Sequence, residues 1–324
     1  AKWLEHGFLV CFEGMLSAAG KETHMIEDAS VGIEMIRDCE VVLETAAGDG
    51  VGRDSDINAR SVEVDDSEWI KNISVSTRTV KNVSRIRVHV KIEAEVYEKR
   101  IPEVLKGDAC VRFYPVLFQM GVDIKQWGKN LVKSSGKSSG HPGKGAASVP
   151  NYEEEGGGVD SDLLTNLNKE AFQKLNKYAH KFDNFGYADV TGDGEIPIHV
   201  TLGKLWDFVS AGSKKIEHGV LDVAGESAVN MGGGCVIYCK SGKDRTGMGV
   251  TLREAQFLKG IGRDACKEDA YVLRRFGTRI AICKKNIGKW SYAFNTLQAK
   301  FMPILLKPPH EVLAALFDKE KVET

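Results

Sequence analysis

Residues 232–246 read G-G-G-C-V-I-Y-C-K-S-G-K-D-R-T. A glycine triplet leads into a short apolar run, which opens on a turn holding one thiol and three cations. Beyond Thr246, Met248, Leu252, Ala255 and Leu258 recur at helical spacing up to Gly260, an expected C-cap. One apolar stripe of that kind predicts a helix packed on one face, over about 246–259. The segment therefore reads as buried strand, tight turn and helix. A helix start leaves N–H groups without internal partners, and the positive end of the dipole points the same way. Such a hollow receives a tetrahedral dianion.

The same field acts on Cys239. Thiols at helix N-termini and beside cations have pKa values of roughly 3.5–7.5, so Cys239 is expected to be a thiolate at neutral pH. Arg245 places a planar fork where two phosphate oxygens can be held. Gly242 lets the backbone pass close to a ligand, where a Cβ would crowd its oxygens, and Ser241 completes the phosphate-binding turn. Together these predict covalent catalysis through a phosphocysteine. The leaving alcohol needs a proton, and Asp244 is the carboxyl at hand. Surrounding cations favour its ionised form and substrate phosphates the protonated one. Thr246 can hydrogen-bond the sulfur as it leaves. Lys240 and Lys243 suit a ring bearing several phosphates, since a phosphotyrosine needs no further point charges. A bare C-x5-R recurs by chance, and a strand cysteine is usually a small hydrophobe. The glycines, lysines, Arg-Thr pair and capped helix set this turn apart.

The chain has 324 residues, a formal net charge of -1 and average apolar and charged fractions, which suggest a soluble folded protein. With no global field toward polyanions, nucleic acid is not expected as a partner. Seven cysteines without paired spacing argue for a reducing compartment rather than a disulfide framework. The chain begins at Ala1 with no signal-peptide pattern, as a trimmed chain would. Neither zinc spacing nor any other cofactor motif is present in the sequence, so no metal and no cofactor are expected. Asn72 and Asn82 match the glycosylation triplet, which is read as chance.

Along the chain, 3–37 carries a helical pattern with a break at Gly20. E-V-V-L-E and R-I-R-V-H-V-K-I-E-A-E-V alternate as strands, separated by a polar segment over 46–67 that reads as a long loop. The strand V-R-F-Y-P-V-L-F contains Pro115, which predicts an edge or a bulge. Further helices are expected over 163–182, 202–218, 264–275, 287–301 and 310–319. Residues 134–160 are rich in Gly, Ser and Pro and read as a flexible insertion.

The turn resembles the catalytic loop of the inositol polyphosphate 4-phosphatases, close to C-K-S-A-K-D-R-T, with Gly242 in place of alanine. M-G-V-T-L-R-E after it is similar to that family's pattern. So are K-N-I-G-K-W-S-Y-A-F-N-T-L-Q with the later Pro308-Pro309, R-F-Y-P-V-L-F-Q-M-G-V, and G-F-L-V-C-F-E-G-M-L-S. The resemblance implies an α/β, cysteine-dependent phosphatase-like fold: a central mixed sheet flanked by helices, with additional N-terminal helices and a β-hairpin region. It implies one catalytic domain over 1–324, with a helical and β portion over 1–130, the insertion over 134–160 and the loop-bearing portion over 161–324. The implied reaction removes the 4-phosphate of phosphatidylinositol 3,4-bisphosphate, with soluble inositol polyphosphates as further substrates. The implied location is cytoplasmic, peripheral to an anionic membrane surface such as the plasma membrane or endosomes. Related myotubularins place an acid at the position of Asp244, and the family's lysines assign phosphate binding to Lys240 and Lys243.

Three other features carry weaker signals. D-V-T-G-D-G-E-I from Asp189 imitates the start of an EF-hand loop, but Val200 stands where a bidentate Glu is required, so a turn is expected. Cys235 could trap an oxidised Cys239, though packing is the simpler role. Residues 262–290 contain eight Lys or Arg against three Asp or Glu. Arg274, Arg275, Lys284, Lys285 and Lys289 are therefore candidates for anionic lipid or secondary phosphates. The rival readings are a lipid phosphatase of other ring-position preference, a protein tyrosine phosphatase, and an inactive phosphoinositide-binding module.

Overall fold

The computed structural model describes residues 2–18, 21–46, 60–62, 69–80, 83–122, 161–181, 200–211, 219–262, 266–294, 299–300 and 302–314. The insertion over 134–160, the EF-hand-like stretch from Asp189 and the break at Gly20 lie outside them. The fold is mixed α/β, a central sheet flanked by helices. Its described strands are β1 (Phe8–Met15), β2 (Cys39–Thr45), β3 (Arg60–Val62), β4 (Ile70–Val80), β5 (Val83–Ile92), β6 (Cys110–Gln119) and β7 (Gly234–Cys239). They run in the order β3-β4-β5-β2-β6-β1-β7.

The largest departure from expectation is β1. A helix was expected there, yet Phe8–Met15 is a strand inserted between two parallel neighbours, β6 and β7. A short apolar run fits either period, and long-range pairing decided it. Gly14 shows how closely the neighbours approach: a Cβ there would meet Gln119 Oε1 at 1.9 Å and the Tyr238 hydroxyl at 2.7 Å. The expected helical pattern survives only in α1 (Lys2–His6) and α2 (Lys21–Met35).

Pro115 lies in an internal strand without a register shift, opposite Val10. Its missing N–H is tolerated because the antiparallel ladder with β2 covers only Cys110, Val111 and Arg112 of β6. At Pro115 that flank of the strand is no longer paired to β2. Strand β7 is half-buried rather than fully buried, and among the described strands it pairs only with β1. The expected loop over 46–67 contains β3, which pairs with β4. The second alternating run ends as β5 at Ile92, and Ala94–Arg100 forms helix α3.

Helices α4 (Ser161–Ala179), α5 (Val200–Ser210), α6 (Gly219–Asn230), α7 (Asp244–Gly260), α8 (Cys266–Phe276) and α9 (Thr278–Ile287) follow among the described residues. Helix α6 was not anticipated, although Val220, Leu221, Ala224 and Ala228 bury one face at helical spacing. On α7 the stripe of Met248, Leu252 and Ala255 is buried as expected. The left-handed glycine after that helix is Gly262, at φ +101°, rather than Gly260. A helix was expected to begin near 287, but α9 ends there on left-handed Gly288. Of the helix expected over 310–319, the described part is a short turn, His310–Val312.

The main core joins β1, β6, α4 and α7 through Leu9, Cys11, Met15, Phe118, Leu175 and Met248, and a smaller cluster of Leu16, Ala18, Ile26 and Leu164 seats α2. Asn168 of α4 accepts from the Gln119 N–H at 2.8 Å and donates to the Gln119 carbonyl at 2.9 Å, satisfying both backbone groups at the end of β6. Arg253 of α7 donates to both oxygens of buried Glu13 on β1 and to the carbonyls of Asp222 and Leu221, tying α6 and α7 to the sheet.

Candidate active site

Strand β7 delivers Cys239 to the start of α7, where the sulfur is buried, 8% exposed. The turn between them closes because Gly242 adopts φ +66°, a left-handed conformation that strains any other residue. No protein atom lies within 4 Å of where its Cβ would be. The dihedral by itself therefore calls for glycine at this position.

Thr246 donates its hydroxyl to the Cys239 sulfur at 3.1 Å. Burial alone would raise the thiol pKa, but this bond, the N–H groups of Thr246 and Ser241, and the charge of Arg245 outweigh it and hold the thiol below its ordinary value. The rate of iodoacetamide alkylation at Cys239 will therefore climb with pH through a midpoint below that of an ordinary thiol. Thr246→Val will move that midpoint upward, and an unmoved midpoint would deny the hydroxyl this role.

Arg245 is held by groups that sequence inspection missed. Its Nη1 donates to Glu22 Oε2 and to the Met15 carbonyl, both at 2.8 Å, and Nη2 donates to Glu22 Oε1 at 2.9 Å. The Ser17 N–H fixes Glu22 in turn at 2.8 Å. Burial would raise the Glu22 carboxyl, yet the bonds from Arg245 and Ser17 and the charge of Lys240 hold it low, as a carboxylate. Helix α2 thus sets the plane of the guanidinium at the mouth of the turn.

A second set of contacts comes from α9 and the segment after it. Asp244 Oδ1 accepts from the Ala293 N–H at 2.8 Å and from the Cys283 thiol at 3.9 Å. That thiol is pushed up to about 12, first by burial and then by the Asp244 charge, so it stays a donor. Lys243 donates through Nζ to Asn286 Oδ1. Arg279 Nη2 donates to the carbonyl of Gly242 at 2.6 Å and reaches that of Lys243 at 3.5 Å. Lys240 and Ser241 are exposed on the turn.

Outside the turn, the expected surface cations separate. Arg274 is fully buried, so it belongs to the core and not to a lipid-facing surface. It donates to Thr251 Oγ1 and to the carbonyls of Met248, Leu305 and Lys307. Burial pulls its guanidinium down to about 10. Arg275, Lys284 and Lys285 are exposed. Cys235 does not reach Cys239: four strand residues span about 13 Å, beyond the roughly 7 Å Cα limit for a disulfide. It lies instead opposite Cys11 on β1, with its thiol directed to the Gly225 carbonyl at 3.6 Å.

A nucleophile with an activating hydroxyl, an anchored guanidinium and an adjacent carboxyl can carry out transfer of a phosphoryl group to sulfur. In sequence the chain is similar to inositol polyphosphate 4-phosphatases. Residues 155–306, which include the turn, match the family described as the INPP4A C-terminal domain. The chain is 26% identical over 312 residues to human inositol polyphosphate 4-phosphatase type II, covering 94% of this chain and 28% of that protein. Type II inositol 3,4-bisphosphate 4-phosphatases of Pongo abelii and Rattus norvegicus match to the same extent. The chain thus spans little more than a quarter of the length of these relatives.

Proposed function

We propose that this chain is a phosphoinositide phosphatase that removes the 4-phosphate of phosphatidylinositol 3,4-bisphosphate through a phosphocysteine. The observation that carries the reading is the convergence of the Thr246 hydroxyl, the N–H groups of Ser241 and Thr246 and the charge of Arg245 on the Cys239 sulfur. The thiolate attacks phosphorus in line with the ring oxygen, forming the S–P bond as the P–O bond breaks. Arg245 neutralises charge on the transferring oxygens while Glu22 keeps its fork in plane. Oδ1 of Asp244 is anchored, so Oδ2 is the oxygen that brings the proton to the leaving alkoxide. Water then attacks the phosphocysteine, Asp244 takes up its proton, and Thr246 stabilises the departing thiolate. Lys240 and Lys243 hold the phosphates that stay on the ring, and Asn286 presents Lys243 to them. The choice of the 4-position is supported by the similarity to type II inositol 3,4-bisphosphate 4-phosphatases.

Phosphate release from a panel of phosphoinositides tests the assignment. The expected product from phosphatidylinositol 3,4-bisphosphate is the 3-phosphate. Preference for phosphotyrosine peptides would replace the substrate, and tight binding without turnover would favour a reader module. Asp244→Asn should lower turnover of alkyl phosphates by about 10²–10⁴-fold. It should have far less effect on an aryl phosphate whose leaving group needs no proton. An equal loss on both would take Asp244 out of the acid role.

A further inference from the structure

The other side of α9 from the turn carries a different surface. An open groove of about 670 Å³ is lined by Arg275, Phe276, Thr278, Ile280, Trp290 and Val312, among others. Two of its walls are large rings facing solvent, Phe276 at 74% and Trp290 at 54% exposure, and Ile282 on α9 is 36% exposed. Both rings carry a cation. The Arg275 guanidinium lies 5.0 Å from the Phe276 centroid, and Lys284 Nζ lies 4.4 Å from that of Trp290. From Thr278 to Lys289 the chain holds four cations and no acid. Glu311, ion-paired to Arg275 at 3.6 Å, is the one acid among the described residues that line the groove. Exposed rings beside cations are the composition of an interfacial layer, where an apolar body enters lipid and a charged head meets phosphate.

The placement is as informative as the chemistry. Trp290 sits between Asn286, which holds Lys243, and Ala293, which holds Asp244. The helix that bears the groove also donates through Arg279 to the turn itself. We propose that this groove is the face on which the enzyme seats against an anionic bilayer. Phe276 and Trp290 enter the interfacial region, and Arg275, Lys284 and Lys285 meet lipid phosphates. The choice of a bilayer over a protein rests on the phosphoinositide phosphatase reading, because a lipid substrate must be presented next to Cys239, and on the charge of the face.

Sedimentation of the full chain with phosphatidylcholine vesicles, with and without phosphatidylserine, tests the surface without any turnover. The wild type should sediment with the anionic vesicles. The Phe276→Ser/Trp290→Ser variant should partition about tenfold less or worse. Its hydrolysis of a water-soluble inositol polyphosphate should stay within about twofold of wild type, since neither ring touches the turn. In a second measurement, brominated-acyl lipid should quench Trp290 fluorescence, and that component should vanish in Trp290→Phe. Sedimentation unchanged in the double variant, or no quenching at Trp290, would overturn the proposal. So would self-association of the wild type that the double variant abolishes, since that makes the face a protein interface. Failure of the wild type to release phosphate from any phosphoinositide or soluble inositol polyphosphate would instead sink the phosphatase reading, while the vesicle result still decides the surface.

Discussion

Cys239→Ser will reduce phosphate release on the order of 10⁴-fold or more, the scale seen when a covalent nucleophile is removed. The argument is one of ionisation rather than size. In the native turn the hydroxyl of Thr246 and two N–H groups all direct positive charge at the sulfur, and the result is a lowered thiol pKa. A serine hydroxyl ionises so much less readily than a thiol that the same donors leave it neutral and unreactive. The hollow itself is unchanged, so substrate binding should persist while the acid-quenched phosphoenzyme disappears. Equal turnover by the two proteins would remove the phosphocysteine from the mechanism.

Arg245→Lys is expected to cost about 10³-fold in kcat/KM, in the range for loss of a preorganised donor to transferring phosphoryl oxygens. An ammonium keeps the charge but cannot make the two parallel bonds to Glu22 that fix the guanidinium plane. Glu22 then loses its main partner while the Ser17 N–H still holds it at the mouth of the turn. Alkylation of Cys239 should continue in this variant, which separates loss of transition-state stabilisation from collapse of the turn. Turnover within a few-fold of wild type would show that charge alone suffices there.

The turn was legible because everything that makes it is local. Glycines, thiol, cations and the stripe of Met248, Leu252 and Ala255 fall within a short span, and helix start, dipole and packing face follow from order alone. The residues that aim the turn were not legible. Glu22, Arg279 and Asn286 are ordinary polar residues until tertiary packing brings α2 and α9 to it. Asn286 alone carried an advance signal, the K-N-I-G stretch, which matched a family pattern without revealing a role. Arg274 misled for the converse reason. It sits in a basic run, and only partners remote in sequence show that it is buried. The first strand misled because a run such as F-L-V-C-F has the same apolar content in either conformation.

The pairing of β1 bears on how this protein comes to be built. Its neighbours in the sheet are β6 and β7, about one hundred and more than two hundred residues further on. The Glu22–Arg245 link repeats that span. A chain emerging N-terminus first presents Glu22 more than two hundred residues before Arg245, so the guanidinium clamp cannot close until the turn has appeared. Contacts of such separation slow folding, because a long loop must close before any bond repays it. Closure of the turn is therefore a late event in folding, reached only when β1 has been enclosed by β7.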